Sequence, residues 1–238
     1  MKNRLIERII DYLRLTQLSI QLIAGRRFYI TVLLPLFWPA FQAFRLLMGW
    51  RETKIEAINV QTLIGLPLVI YAIFLGIRII ASEVDRRTLE VAYTVPGGSH
   101  RIWLAKMTAS FCLLLFSEVL MAIFTLVLFT SFPFVSFYGA LQAAVFYMVV
   151  GMAFSAFFRS EISGAMATSL LLTINIIISN FGNRMRLSPF FNPLAFDSNI
   201  TDVTAYTIQN RILFIIVISA ITLLTFSRVE RREKMLGD

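Results

Sequence analysis

Six long apolar runs, at 28–50, 60–80, 107–132, 134–158, 163–181 and 210–227, constrain this chain more than any other feature. Hydrocarbon offers no water to backbone N–H and C=O groups, so a run that crosses it must satisfy them internally, and a helix of ~20 residues is long enough to do so. Composition agrees. With 58% hydrophobic and 15% charged residues and a mean hydropathy of +0.75, the chain lies far outside the soluble average. The expectation is a single transmembrane domain over 1–238: an all-α membrane protein with six transmembrane helices and no soluble domain left over.

An even number of crossings puts both ends on one side. Sixteen of the 22 lysines and arginines then fall on that side: in the N-terminal segment, between Arg78 and Lys106, at Arg159 and in the tail. The positive-inside rule makes it the cytoplasm, which predicts a multi-pass protein of the plasma (bacterial inner) membrane with both termini cytoplasmic. It also accounts for the net charge of +8 without a nucleic-acid partner. The third and fourth runs are separated only by Ser131–Phe134, where Pro133 must make the turn. Their joint length is too great for one tilted helix. Cys112 is the sole cysteine, so no intramolecular disulfide is possible. The basic N-terminus lacks the early apolar core of a cleavable signal peptide.

Two flanking segments carry information. In residues 2–24, Ile6, Ile9, Leu13, Ile20 and Ile23 share one helical face opposite Arg4, Arg8 and Asp11. Such a helix is expected to lie in the membrane interface, with Arg26 and Arg27 at headgroup level. Between the fifth and sixth runs, 182–209 concentrates Pro189, Phe190, Phe191, Pro193, Leu194 and Phe196. Aromatic residues beside a membrane favour the interface, so this loop is expected to dip back onto or into the outer leaflet.

The longest polar interruption is Ala81–Lys106. Glu83 with Arg87, and Arg86 with Glu90, are four apart and suit ion pairs on a helix surface, while Leu89, Ala92 and Val95 give that helix an apolar stripe. Pro96-Gly97-Gly98 breaks the chain, and Ser99 is a suitable N-cap for a second helix through Arg101, Trp103 and Lys106.

Glu83-x-x-x-x-Thr88-Leu89-Glu90, then Pro96, then Lys106 opening a new apolar helix, resembles the cytoplasmic signature of type-2 ABC (ATP-binding cassette) permeases. Asn192-Pro193-Leu194-Ala195-Phe196 resembles that family's stretch before the last span. Arg87 stands where a glycine is usual, and Gly97-Gly98-Ser99 replaces the usual valine and serine. The resemblance implies an N-terminal elbow helix over 2–27, a coupling segment over 81–106 that docks on a separate ATPase, and an outer re-entrant segment over 182–209. Glu83, Arg86, Arg87, Thr88, Leu89, Glu90, Pro96 and Arg101 would then be the coupling residues. It further implies a cytoplasmic ABC ATPase subunit as partner and a second permease, identical or sister, surrounded by membrane lipids. ATP and magnesium would be held by the partner, since no GxxxxGK[ST] phosphate loop occurs here.

Within the apolar runs Glu118 stands out, eleven residues into the third and so ~16 Å deep at about 1.5 Å per residue. A carboxylate there is costly unless protonated or paired, which makes it a functional candidate. Gln42, Gln142 and Asn175 lie at comparable depth, so the four either line a polar path or serve as interhelical glue. His100, the sole histidine, has no triad partners signalled, and no metal-ligand spacing appears. Three function classes follow: the permease of an ATP-driven exporter for a hydrophobic or amphipathic cargo such as a lipid, peptide or drug-like molecule; an ion-gradient transporter using Glu118; and a non-transporting membrane scaffold. Enzymatic activity in the chain itself is not expected.

Overall fold

The computed structural model describes residues 2–25, 27–50, 55–85, 99–181, 186–196 and 202–230, and the described residues contain helices and no strand. In chain order the helices are α1 (Lys2–Ala24), α2 (Phe28–Leu33), α3 (Phe37–Leu47), α4 (Ala57–Ile77), α5 (Ala81–Asp85), α6 (Ser99–Leu128), α7 (Phe134–Phe158), α8 (Glu161–Phe181) and α9 (Val203–Val229). Short 3-10 turns occur at Leu34–Leu36 and Pro193–Ala195. Six helical stretches are long and apolar enough to cross a membrane: Phe28–Leu47, α4, the body of α6, α7, most of α8, and α9. The end of the bundle that collects α1, α5 and the start of α6 is called the basic end below.

The second span is the axis of the fold. α4 is apolar on every face and buried over most of its length, from Val60 to Ile77, as expected of a helix surrounded by other helices. Its main partner is α7, and glycines bring the two backbones together. Gly65 lies against Ala140, 3.5 Å from where its Cβ would be, and Gly151 sits over the Ile73 carbonyl. A Cβ on Gly76 would run into the Met148 carbonyl, and one on Gly139 would meet the Gln61 amide at 2.6 Å. Small residues permit this approach in membranes, where dispersion and hydrogen bonding hold helices together. The same device joins α7 to α8, since a Cβ on Gly164 would stand 2.5 Å from Ser155 Cα. Arg159 ends α7 with φ 55° in the left-handed region, its N–H donating to the Ser155 carbonyl. That tight turn returns the chain into α8 two residues later.

The first span is broken around Pro35, where the 3-10 turn interrupts the helix between α2 and α3. Next to the break, Ser117 Oγ of α6 donates to the Val32 carbonyl at 2.9 Å. At 30 residues, α6 rises about 45 Å at 1.5 Å per residue. That exceeds a hydrocarbon core, so at least one of its ends must project beyond it. The helix begins at Ser99, so the turn-then-helix reading of 99–106 joins the third run without a break. The turn between α6 and α7 falls at 129–133, with Pro133 as N-cap of α7.

The apolar face predicted for α1 is divided rather than shared. Ile23 is fully buried in the core and Ile20 packs on it, whereas Leu13 is 61% exposed; the side chains of Ile6 and Ile9 lie outside the described residues. The face toward α6 is built from Thr16, Ser19 and Ile23, with Tyr12 Oη and Thr108 Oγ1 sharing a 2.9 Å hydrogen bond. Ile10, Leu13, Leu18 and Leu22 point away from the protein. The apolar residues of α1 thus serve two faces, one against the protein and one exposed, and only their sum appears in the sequence.

Gly76→Ala should lower the thermal midpoint of the purified protein, because the Met148 backbone cannot yield to the added methyl and overpacking costs about 1–3 kcal/mol. Gly65→Ala, where the new methyl meets Ala140 at ordinary contact distance, should leave the midpoint nearly unchanged; the check is a fluorescence melt of both variants in one detergent.

Candidate coupling site and outer-loop clamp

At the basic end, α5 continues from the second span and α6 begins the third, and one acidic side chain ties them. Glu83 accepts an ion pair from Lys106 Nζ at 2.8 Å and a hydrogen bond from Trp103 Nε1 at 2.7 Å. Lys106 Nζ also donates to Ser82 Oγ at 3.2 Å, which in turn donates to the Arg78 carbonyl. The Lys106 and Glu83 side chains are only 4% and 12% exposed, and Trp103 is fully buried. The spacing works because Trp103 and Lys106 are three apart, on one face of the first turns of α6.

The fifth span joins the same cluster. Asp85 Oδ2 accepts from the backbone N–H of Glu161 at 3.0 Å, satisfying a free amide at the start of α8 where negative charge also meets the positive helix end. Glu161 then faces Arg78 Nε at 3.7 Å. Arg78 lies 4.3 Å over the Phe74 ring and donates to the Ile23 carbonyl at the end of α1 at 2.8 Å. Five elements therefore converge: the ends of α1 and α4, the short α5, and the starts of α6 and α8.

Of the predicted coupling residues, Glu83 is turned inward to Lys106 and Trp103, and Arg101 is half-buried on the first turn of α6. Arg86, Arg87, Thr88, Leu89, Glu90 and Pro96 lie outside the described residues. His100 is exposed, 4.0 Å from Glu230.

At the opposite end, amides from four spans hold residues 186–196. Gln61 Nε2 of α4 donates to the Phe191 carbonyl at 3.0 Å. Asn210 Nδ2 of α9 donates to the carbonyls of Arg186 at 2.8 Å and Ser188 at 3.0 Å, while its Oδ1 accepts from Gln142 Nε2 of α7 at 2.9 Å. Asn175 of α8 accepts from Ser188 Oγ at 3.3 Å, and Asn192 Nδ2 donates to the Ile58 carbonyl at 2.8 Å. Between these bonds Phe190 meets the Tyr147 ring at 5.8 Å and Phe191, only 3% exposed, packs on Phe196 at 5.4 Å. Pro193 and Leu194 form the 3-10 turn capped by Asn192 Oδ1. Asn210 is seven residues, or about 10 Å, from the start of α9, so the loop is seated well below the helix ends.

Gln142 and Asn175 both take part in this clamp. Gln42 borders a separate groove with Trp38, Ile55 and Asn59. Glu118 is fully buried on α6, and neither carboxyl oxygen has a hydrogen-bond partner among the described residues. Sequence reasoning passed over Gln61, Asn210 and Arg211, which donates to Gln142 Oε1 at 3.0 Å. Gln61 and Asn210 sit at the very edges of the runs 60–80 and 210–227, so the depth that singled out Gln42, Gln142 and Asn175 did not mark them.

Comparison with family models matches residues 15–234 to the model described as ABC-2 family transporter protein. The chain belongs to the ABC-2 family. The match spans α1 from Leu15 to beyond α9, so the clamp at the basic end and the one at the opposite end both lie inside it. Curated proteins and solved structures give no match. Membership makes this permease a multi-pass membrane transport component, in accord with its six apolar helices.

Two outcomes follow. Removing one partner of a nearly buried ion pair strands the other, so Lys106→Met should cost about 3 kcal/mol. Adding Glu83→Gln, which removes the charge and keeps an acceptor for Trp103, should restore most of the loss in a double-mutant cycle of thermal midpoints. Asn210→Leu should speed backbone hydrogen exchange in 186–192 at least tenfold relative to α4, because each net hydrogen bond lost is worth about 1 kcal/mol and two leave with one side chain.

Proposed function

We propose that this permease is the membrane half of an ATP-driven exporter, moving a hydrophobic or amphipathic cargo under the drive of a separate cytoplasmic ATPase. The observation that carries the reading is the Glu83–Lys106–Trp103 clamp. It brackets the polar segment between the second and third spans, so a push on residues 86–98 reaches α4 and α6 together and, through Asp85 and Arg78, α8 and α1. A coupling segment needs such a stiff mount, because a load applied to a loose loop is lost in the loop.

In this reading the basic end faces the cytoplasm, α1 serves as elbow helix with Leu13, Leu18 and Leu22 in the lipid interface, and 186–196 is the re-entrant segment closing the outer end. ATP and magnesium belong to the ATPase. Two permeases, identical or sister, enclose the path. The scarcity of fixed charge along the spans supports a lipid-like, peptide or drug-like cargo. Glu118 favours a second reading, transport on an ion gradient, since a buried acid without hydrogen-bond partners among the described residues is a natural ion site. ATP dependence separates the two.

The test is affinity purification from native membranes in mild detergent with an ATPase assay of what co-elutes. An ATPase should accompany the wild-type chain and be lost when residues 86–90 are replaced by alanine at equal expression. Lys106→Met should keep the ATPase bound and lose at least tenfold of cargo-stimulated turnover. Recovery of the permease alone, in conditions that preserve other membrane complexes, overturns the proposal.

A further inference from the structure

Along the seam between α7 and α9, at the basic end, a groove of about 330 Å³ opens sideways from the bundle. Its walls are Ala153, Phe154 and Phe158 of α7 and Ile221 and Leu224 of α9, and several of them, including Phe158 at 48% and Leu224 at 70%, are exposed. That volume lies at the lower end of the range for small-molecule sites. An apolar groove facing lipid would by itself say nothing, since acyl chains cover any such surface.

The mouth of this one is different. Arg228, in the last turn of α9, lies flat with its guanidinium carbon 4.5 Å from the centre of the Phe157 ring. Its Nε is buried with no hydrogen-bond partner, and no acidic side chain pairs with it among the described residues. A terminal arginine with nothing to bind extends its head away into water. This one folds across the groove and holds a donor inward, where an unmet N–H is costly. Arg211, near the far end of the same helix, also has one buried unpaired donor but anchors its other nitrogen on Gln142.

A greasy slot closed by a cation with no acidic partner among the described residues has the chemistry of a phospholipid in reverse. We infer that the α7–α9 seam binds an anionic phospholipid of the adjoining leaflet, its phosphate on Arg228 and one acyl chain in the groove beneath Phe157. The site is separate from the coupling clamp and from the outer loop, and its occupancy needs neither ATP nor cargo. The expected role is to hold α9, which is otherwise thinly packed, against α7.

The experiment uses the full-length protein in phosphatidylcholine vesicles carrying a trace of spin-labelled phosphatidylglycerol or spin-labelled phosphatidylcholine. The motionally restricted component should show a preference of about fivefold for the anionic lipid, the effect of one surface cation. Arg228→Gln should bring the ratio near one. Leu224→Trp, which fills the slot and leaves the arginine, should also reduce it, and a fluorescence melt of each variant checks that the fold is retained. Equal restriction of both lipids by the wild-type protein, or a preference unmoved in Arg228→Gln, overturns the inference. So does efficient disulfide-linked dimer formation by Leu224→Cys in a Cys112→Ser background, which would show that a second copy covers the groove.

Discussion

Charges removed from water must be matched almost completely, and the meeting of Glu83 with Lys106 is the point on which the basic end of this protein depends. Each is nearly shut off from solvent, and each would be expensive alone. Together, with the Trp103 N–H on the second carboxylate oxygen and Ser82 on the ammonium, they fix the relation between the end of the second span and the start of the third. The polar segment joining those spans is thus mounted at both ends on one cluster. Asp85 and Arg78 extend the mount to the fifth span and to α1. What lies behind it is equally stiff, because α4 and α7 touch backbone to backbone at Gly76 and Gly151, leaving no long side chains to absorb a displacement.

The other end is organised by the same physics with neutral groups. A loop entering a helix bundle brings carbonyls and N–H groups that need partners, and here Gln61 and Asn210 supply them from two different spans while Gln142 and Asn175 complete the set. Aromatic side chains then fill the space, Phe190 against Tyr147 and Phe191 against Phe196. Polar side chains inside this bundle therefore act mainly as fasteners for the two connecting segments. Glu118 is buried at mid-span, and Ser117 fastens the broken first span instead.

The large features were legible in the sequence for a simple reason: hydrocarbon imposes length and composition on each crossing independently, so six runs could be read without knowing how they pack. Pro133 was likewise readable because turns are local. Pairings across the bundle were not. The rule for residues four apart sees only partners on one helix, so it could not offer Glu83 the side chain of Lys106, which lies 23 positions on and is delivered by the packing of a different span. Gln142 and Asn175 were singled out within their runs, but their partners are Asn210 and Arg211 of α9 and the Ser188 hydroxyl, which no periodicity predicts. For α1 the pattern located the apolar residues but could not say which of them the protein would cover and which would stay exposed.

The claim at the centre of this account is that the basic ends of the third and fifth spans move as one body with the segment between the second and third. The most direct measurement is the distance between spin labels at Leu104 on α6 and Ile162 on α8, both exposed, in a Cys112→Ser background by pulsed electron resonance. One narrow distance is predicted, unchanged when the co-purified ATPase is trapped with nucleotide and broadened in Lys106→Met. A distance that shifts with nucleotide while the clamp is intact, or that is indifferent to Lys106→Met, would contradict it.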